Sequence, residues 1–287
     1  MIKMISRPVL FVAALLFFVA CEPSLENTEL ALTDPDQAEV TYTCDKQYAD
    51  ITFDCNRSWK ASTAADWIDI ETAKGSSGEA LTLKLRLSAN KGYAYRTEEV
   101  TISAGKAVLA VKVTQEPEIV YLLNENFNSS SLLVEDDLPS GWSTIDNDGD
   151  GYAWRCYRDT TEQTYAYSES YDEYLGKVRT PDNVMATPLF EVPSEGFYAK
   201  WDVKSSASAD KYLGDKYEVW IGTIAGNTLY YGKKICEETT VSSSEFTHHE
   251  YCLDEFKGVT ICLAFRHYDS TNLSRVLVTN IQVTNKR

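Results

Sequence analysis

Apolar side chains recur at every second position over most of this chain. Leu81, Leu83, Leu85 and Leu87 alternate with Thr82, Lys84, Arg86 and Ser88. Val40 and Tyr42, then Ile51, Phe53 and Cys55, show the same period upstream. Val100 and Ile102 lead into Ala104-Gly105-Lys106, and Leu109, Val111 and Val113 return from it, which predicts a hairpin. A period of two places alternate side chains on one face of a strand. Several short strands of this kind predict a small β-sandwich, with Trp59 and Trp67 as core aromatics. Pro117 closes that region, and the pattern resumes from Tyr121. Phe197, Ala199, Trp201 and Val203 alternate, as do Tyr217, Val219 and Ile221. Val259, Ile261, Leu263 and Phe265 form an apolar face opposite Thr260, Cys262, Ala264 and Arg266, and Ile281 and Val283 follow near the end. Clusters of Gly, Ser and Asp separate these runs. The reading is an all-β chain with two modules, residues 38–116 and 121–287, the second long enough for a jelly-roll β-sandwich.

The first 21 residues follow a different rule. Lys3 and Arg7 precede an apolar run from Val9 to Ala20. That run is shorter than the roughly 20 residues needed to span a bilayer, so it reads as an export signal. Val19-Ala20-Cys21 resembles the lipobox of a bacterial lipoprotein signal, with Phe18 where that pattern prefers Leu. The resemblance implies that Cys21 carries lipid and anchors the protein at the outer membrane or cell surface. The alternative is ordinary cleavage beside a free cysteine. Residues 22–37, polar and with Pro23 and Pro35, read as a flexible tether. The formal charge of −16 becomes −18 when the signal is removed. An acidic surface excludes nucleic acid as a natural partner and is compatible with cation binding. Of seven cysteines, Cys44, Cys55, Cys156, Cys236, Cys252 and Cys262 remain once Cys21 is set aside. Export permits disulfides, but spacing selects no pairing, and reduced thiols are equally compatible.

The candidate chemistry lies between Gly141 and Trp154, where Asp146-Asn147-Asp148-Gly149-Asp150-Gly151 gathers three carboxylates. Carboxylates this close repel unless water or a cation screens them, and hard oxygens with tight Gly turns suit Ca²⁺. The run matches the opening of an EF-hand loop, but the twelfth position holds Tyr157 and no helices flank it. A non-helical calcium loop and a solvated Asp/Gly turn both remain open. Tyr152, Tyr157, Tyr165, Tyr167, Tyr171 and Tyr174 crowd the following stretch, which reads as a surface excursion. Tyr165, Tyr167 and Tyr171 are its candidate ligand contacts, against the alternative of a loop pinned by its own aromatics. Catalysis finds little support. There are three histidines, His248, His249 and His267, and no nucleophile elbow, zinc-helix motif or phosphate loop.

Two family resemblances sharpen this reading. Trp59, the strand Trp67-Ile68-Asp69-Ile70, Gly75 to Gly78, Asn90 with Arg96, and Val113-Thr114-Gln115 resemble the BACON domain. That implies an immunoglobulin-like module, here read as a spacer. Asn124-Glu125-Asn126-Phe127, Leu138-Pro139-Ser140-Gly141-Trp142, the acidic loop with Trp154, Met185 to Leu189, and Leu253 to Arg266 resemble the cleaved-adhesin, or choice-of-anchor J, domain of gingipain adhesin regions. This implies a jelly roll with structural Ca²⁺ and a binding role without catalysis. Its implied ligands are Glu125, Asp146, Asp148, Asp150 and Asn280; Asn280 stands where relatives often carry Asp. The expected function is a surface-anchored, non-catalytic adhesin for an extracellular glycan or protein. Its rivals are an architectural subunit of a surface assembly and a carbohydrate-active enzyme.

Overall fold

The computed structural model describes residues 28–128, 136–226 and 228–286. Cys21 and the expected signal lie outside the described residues. The chain divides into two compact units, residues 28–89 with 97–114, and residues 90–96 with 115–286. Every extended element is a strand, and the helical elements among the described residues are three short 3₁₀ turns.

The first unit is built from two sheets. One runs in the order Leu30–Leu32, Gln47–Cys55, Gly78–Leu87, Ile68–Ile70; the other runs Glu39–Tyr42, Ala107–Gln115, Arg96–Ala104, Trp59–Thr63, Lys74–Gly75. The alternation seen in sequence is the inward face. Ile51 lies opposite Leu83 and Ala49 opposite Leu85, and Ile51, Leu83, Leu85 and Leu87 have no exposed surface. Each such side chain contributes about 1.5–3 kcal/mol by leaving water. Trp59 is a core aromatic: its ring meets Phe53 edge-on at 5.1 Å, and its Nε1 donates to the Ser76 carbonyl at 3.0 Å. Gly105, at φ +59°, makes the predicted hairpin turn. Of the tether expected over 22–37, residues 22–27 lie outside the described residues, and the described part carries a strand. Leu30–Leu32 pairs with Gln47–Cys55, because Leu30 and Leu32 pack on the core.

The second unit is a two-sheet β-sandwich. Its first sheet runs Arg155–Arg158, Thr164–Glu169, Arg275–Thr284, Tyr198–Ser205, Thr247–Cys252, with Tyr121–Glu125 also on Arg275–Thr284. Its second runs Ser143–Asp146, Asn183–Ala186, Thr260–Tyr268, Lys216–Ala225, Thr228–Thr240, with Phe190–Glu191 also on Thr260–Tyr268. The chain crosses repeatedly from one sheet to the other, as a jelly roll does. Trp201, Tyr217, Phe265, Phe197 and Phe127 fill the space between the sheets. The Trp201 indole N–H donates to the Tyr217 hydroxyl at 3.3 Å, so its polar atom is satisfied inside the core. Two details depart from the alternation. Val259 precedes its strand and is largely exposed. Cys262 and Ala264, on the opposite face from Leu263, are also buried, in a small outer cluster with Val184, Ala186 and Trp220.

Among the described residues, Cys44, Cys55, Cys236 and Cys262 are free thiols. A Cβ built on Gly75 would come within 2.7 Å of the Trp59 ring. Gly75→Ala is therefore expected to destabilise the first unit by about 1–3 kcal/mol, through overpacking of a core ring. Urea denaturation of the full chain, followed by Trp fluorescence, would check this.

Candidate metal centre

Strand Ser143–Asp146 ends the pairing of the second sheet's edge, and the acidic loop follows at once. The loop folds around its own carboxylates. Asp146 accepts from the Gly149 N–H at 2.7 Å and, on its other oxygen, from the Gly151 N–H at 2.8 Å. Asp148 accepts from Asp150 N–H at 3.0 Å and from Asp182 N–H at 2.6 Å. Asp150 accepts from Tyr152 N–H at 2.8 Å. Gly149 and Gly151 sit at φ +73° and +84°, and nothing lies where a Cβ would project. Glycine is required there by backbone conformation alone. One ligand oxygen from each of Asp146, Asp148 and Asp150 lies within 4.8 Å of the others, the acidic group of metal-binding geometry among the described residues.

The charge state of the loop reflects this crowding. Partial burial pushes the Asp146 carboxyl up, but N–H bonds from Gly151 and Gly149 outweigh it and hold it below the ordinary range. Burial also pushes Asp148 up; N–H bonds from Asp182 and Asp150 oppose this, while repulsion by Asp150 and Asp146 adds to it, leaving the carboxyl raised. The two neighbouring acids thus shift in opposite directions, Asp146 down through its N–H donors and Asp148 up chiefly through burial. The donor set fits a hard divalent cation: three carboxylates present oxygens to one point, held by backbone N–H groups that leave lone pairs free.

A buried arginine ties this loop to the rest of the sandwich. The Arg179 side chain is 2% exposed and meets Glu169 at 3.0 Å, Asp172 at 2.8 Å and Asp150 at 3.4 Å. Its guanidinium lies over the Tyr152 ring, 3.1 Å from the centroid. Arg275 completes the set at 3.0 Å from the second oxygen of Glu169. Asp172 in turn accepts from the N–H groups of Tyr174 and Leu175 at 3.0 and 2.9 Å. It thereby shapes the hairpin of Tyr171–Asp172 and Lys177–Val178. Beside the loop, Arg266 grips Asp182 with two bonds, at 2.7 and 2.9 Å. That pairing holds the Asp182 carboxyl below its ordinary range, with help from the Asn147 amide. Arg179 carried no sequence signal, since it falls in a stretch without period.

The structure does not assemble the five-residue ligand set. Glu125 and Asn280 belong to the first sheet, on strands Tyr121–Glu125 and Arg275–Thr284, whereas Asp146 belongs to the second. The Glu125 carboxylate accepts from Phe127 N–H at 2.6 Å, capping its own turn. Asn280, at φ +49°, sits in a break of register against Tyr198–Ser205, and its amide donates to Asp202 at 2.7 Å. The break in the ladder leaves that side chain exposed and committed to Asp202. The tyrosine reading is corrected too. Tyr165 and Tyr167 stand on strand Thr164–Glu169, 7% and 4% exposed, packed with Leu277 and Tyr157. They cannot serve as a contact surface while so covered. Tyr171 is half-buried and lines a pocket.

One arrangement went unread in the sequence. His267 meets the Ser168 hydroxyl at 2.9 Å through Nδ1 and Asp215 at 3.2 Å through Nε2. Asp215 also accepts from the Ser170 hydroxyl at 2.6 Å and from Ser274 N–H at 3.1 Å. A Ser–His–Asp chain suggests nucleophilic catalysis, but His267 and Asp215 have no exposed surface, so a substrate cannot reach them. The trio joins strand Thr164–Glu169 of one sheet to the end of Thr260–Tyr268 and the residue just before Lys216–Ala225 in the other.

A jelly-roll β-sandwich with an acidic loop at one end defines a module class rather than an activity. The chain belongs to the cleaved adhesin family: the Cleaved Adhesin Domain model matches residues 120–283. The BACON model matches residues 57–116. The chain is similar to Hemagglutinin A of Porphyromonas gingivalis, 26% identical over 208 residues, which cover 64% of this chain and 9% of that protein. It is likewise 26% identical to Lys-gingipain of the same organism over 165 residues, 52% of this chain and 9% of that protein. The chain thus matches less than a tenth of the length of these relatives. Among solved structures, the K1 cleaved adhesin domain of Lys-gingipain aligns with a TM-score of 0.46 at 22% identity, over 56% of this chain and 96% of that one.

Two outcomes follow from the ion network. Arg179→Leu takes the cation from buried Asp172 and one of two cations from Glu169, and is expected to cost about 3–5 kcal/mol in urea denaturation of the full chain. Asp182, depressed by Arg266, contributes stability that is intact above the unfolded value of about 4 and lost as pH falls through its lower folded value. The stability gap between wild type and Asp182→Asn is therefore expected to close as pH is lowered below about 4, in thermal melts across that range.

Proposed function

We propose that the protein is a non-catalytic cell-surface binding protein whose cleaved adhesin domain engages an extracellular glycan or protein. The BACON unit acts as a spacer, and Cys21 holds the chain at the outer membrane through lipid. The convergence of the Asp146, Asp148 and Asp150 carboxylates within 4.8 Å carries this reading. Three acids gathered at one end of a sandwich need a positive charge to become a fixed surface.

Asp146, Asp148 and Asp150 are the residues that would hold Ca²⁺. A bound Ca²⁺ supplies neutralisation and cross-linking of these oxygens, with carbonyls or water completing about 6–8 ligands. The chain's own contribution is orientation. Backbone N–H groups of Gly149, Asp150, Gly151 and Asp182 fix the Asp146 and Asp148 carboxylates within the loop. Arg179 holds Asp150 and, through Asp172, the adjoining hairpin, so order in the loop extends to its neighbours. Hemagglutinin A, by its name, joins blood cells, and the shared family supports a surface-binding role here.

Isothermal titration of the purified chain with Ca²⁺ is expected to show 1:1 uptake and a higher melting temperature. Asp148→Asn combined with Asp150→Asn is expected to abolish both. Absence of heat together with a melting temperature indifferent to chelator would sink the calcium assignment. A glycan and matrix-protein array with the same protein tests the binding role, and silence on both panels would overturn it.

A further inference from the structure

A pocket of about 230 Å³ opens in the second unit between three connections. The hairpin after Glu169 supplies Tyr171 and Glu173, the segment after Ser205 supplies Ala207, Ser208 and Tyr212, and the turn before Arg275 supplies Asn272 and Leu273. Two aromatic rings and an apolar floor of Ala207 and Leu273 thus meet hydroxyl, amide and carboxylate groups in one small space.

The backbone around this pocket is fixed from behind. Ala207 N–H donates to Ser205 at 3.1 Å, Asn272 N–H to the Ser170 carbonyl at 3.1 Å, and Leu273 N–H to the Ser170 hydroxyl at 3.2 Å. Asn272 is held at φ +57°, a left-handed conformation that Asn tolerates better than most residues. The Ser208, Asn272 and Glu173 side chains, by contrast, make no hydrogen bond among the described residues, and neither do the Tyr171 and Tyr212 hydroxyls. The frame is committed while the lining retains its hydrogen-bonding capacity, which is the pattern of a preformed small-ligand site.

We propose that this pocket is a subsite for one neutral sugar ring at the end of a glycan. The inference rests on the binding role proposed above and places its contact. Tyr171 and Tyr212 offer flat apolar faces for the C–H side of a pyranose, and Ser208, Asn272 and Glu173 offer donors and acceptors for its hydroxyls. Sites for drug-sized ligands run about 300–1,000 Å³, so a space of about 230 Å³ takes a single ring and not a peptide segment. Charge selects within that class. Glu173 and the net charge of −16 disfavour carboxylated or sulfated sugars. The Lys211 ammonium already lies 4.5 Å from the Tyr212 ring centroid, which disfavours a lysine or arginine side chain at the same ring.

The test is a glycan array with the full chain, followed by saturation-transfer NMR with the best neutral terminal sugar. Affinity for one free ring is expected to be on the order of millimolar. Tyr212→Ala and, independently, Asn272→Asp are expected to weaken binding at least about tenfold with an unchanged melting temperature, while Tyr212→Phe retains it. Sugar binding that survives both variants would overturn the pocket and leave the binding role standing. Preference for acidic glycans, or displacement of the sugar by a lysine-rich peptide, would also overturn it. Binding on the protein panel alone would reject the sugar subsite and keep the protein arm of the proposed role, whereas silence on both panels would remove the role and the subsite together.

Discussion

The ion cluster around the Arg179 guanidinium is the interaction on which the acidic-loop end of the second unit depends. Removing a cation of this size from water costs several kcal/mol, and only a complete set of partners offsets it. Arg179 has that set: Glu169 from a strand end, Asp172 from the hairpin, Asp150 from the acidic loop, and the Tyr152 ring beneath. Arg275 shares the load of Glu169 from the neighbouring strand. Asp150 and Tyr152 share one loop and Glu169 and Asp172 lie three residues apart, so satisfying one side chain fixes that loop against the strand end and its hairpin. A loop of three acids could not hold its shape on hydrogen bonds at its rim alone. Anchored through Asp150, it becomes part of the same solid body as the hairpin.

Much of the fold was legible because burial is one-sided. Leu83, Leu85 and Leu87 alternate with polar residues for the reason that one face of their strand meets a core and the other meets water. Where both faces are covered, the alternation fails as a guide. Cys262 and Ala264 are small enough to look indifferent, yet they close an outer cluster under Trp220. Tyr165 and Tyr167 misled for the opposite reason. Their acidic and serine neighbours suggest a solvated loop, but Ser168 and Glu169 are buried polar groups with specific partners, His267 for one and the arginines for the other. Polar residues whose partners lie far away in sequence cannot be distinguished from surface residues by composition.

The same distinction divides the site. Asp146, Asp148 and Asp150 could be read because the loop is local: their spacing alone places the oxygens together, and the glycines allow the turns. Arg179 could not, since its partners stand 7, 10 and 29 residues away on unrelated elements. Glu125 and Asn280 show the limit of carrying a ligand set across a resemblance. The strands that bear them do exist and do pair, Glu125 opposite Ile281, but in the sheet that does not carry Asp146. Sequence order preserved the motif while the three-dimensional neighbourhood belonged to other side chains.

The pocket and the acidic loop share a foundation. Ser170 joins Asp215 and accepts from the backbone of Asn272 and Leu273, so the buried His267 network that ties the two sheets also holds part of the pocket's backbone. The hairpin contributes Tyr171 and Glu173 to that pocket and Asp172 to Arg179. Successive residues of one hairpin thus serve the pocket directly and the acidic loop through Arg179. Binding surfaces on sandwich modules sit on loops, whose backbone groups must find partners or face water. Here two buried polar networks satisfy those groups from beneath. That arrangement lets short connections be rigid without strands of their own, and it leaves their outward side chains free to be chosen by a ligand.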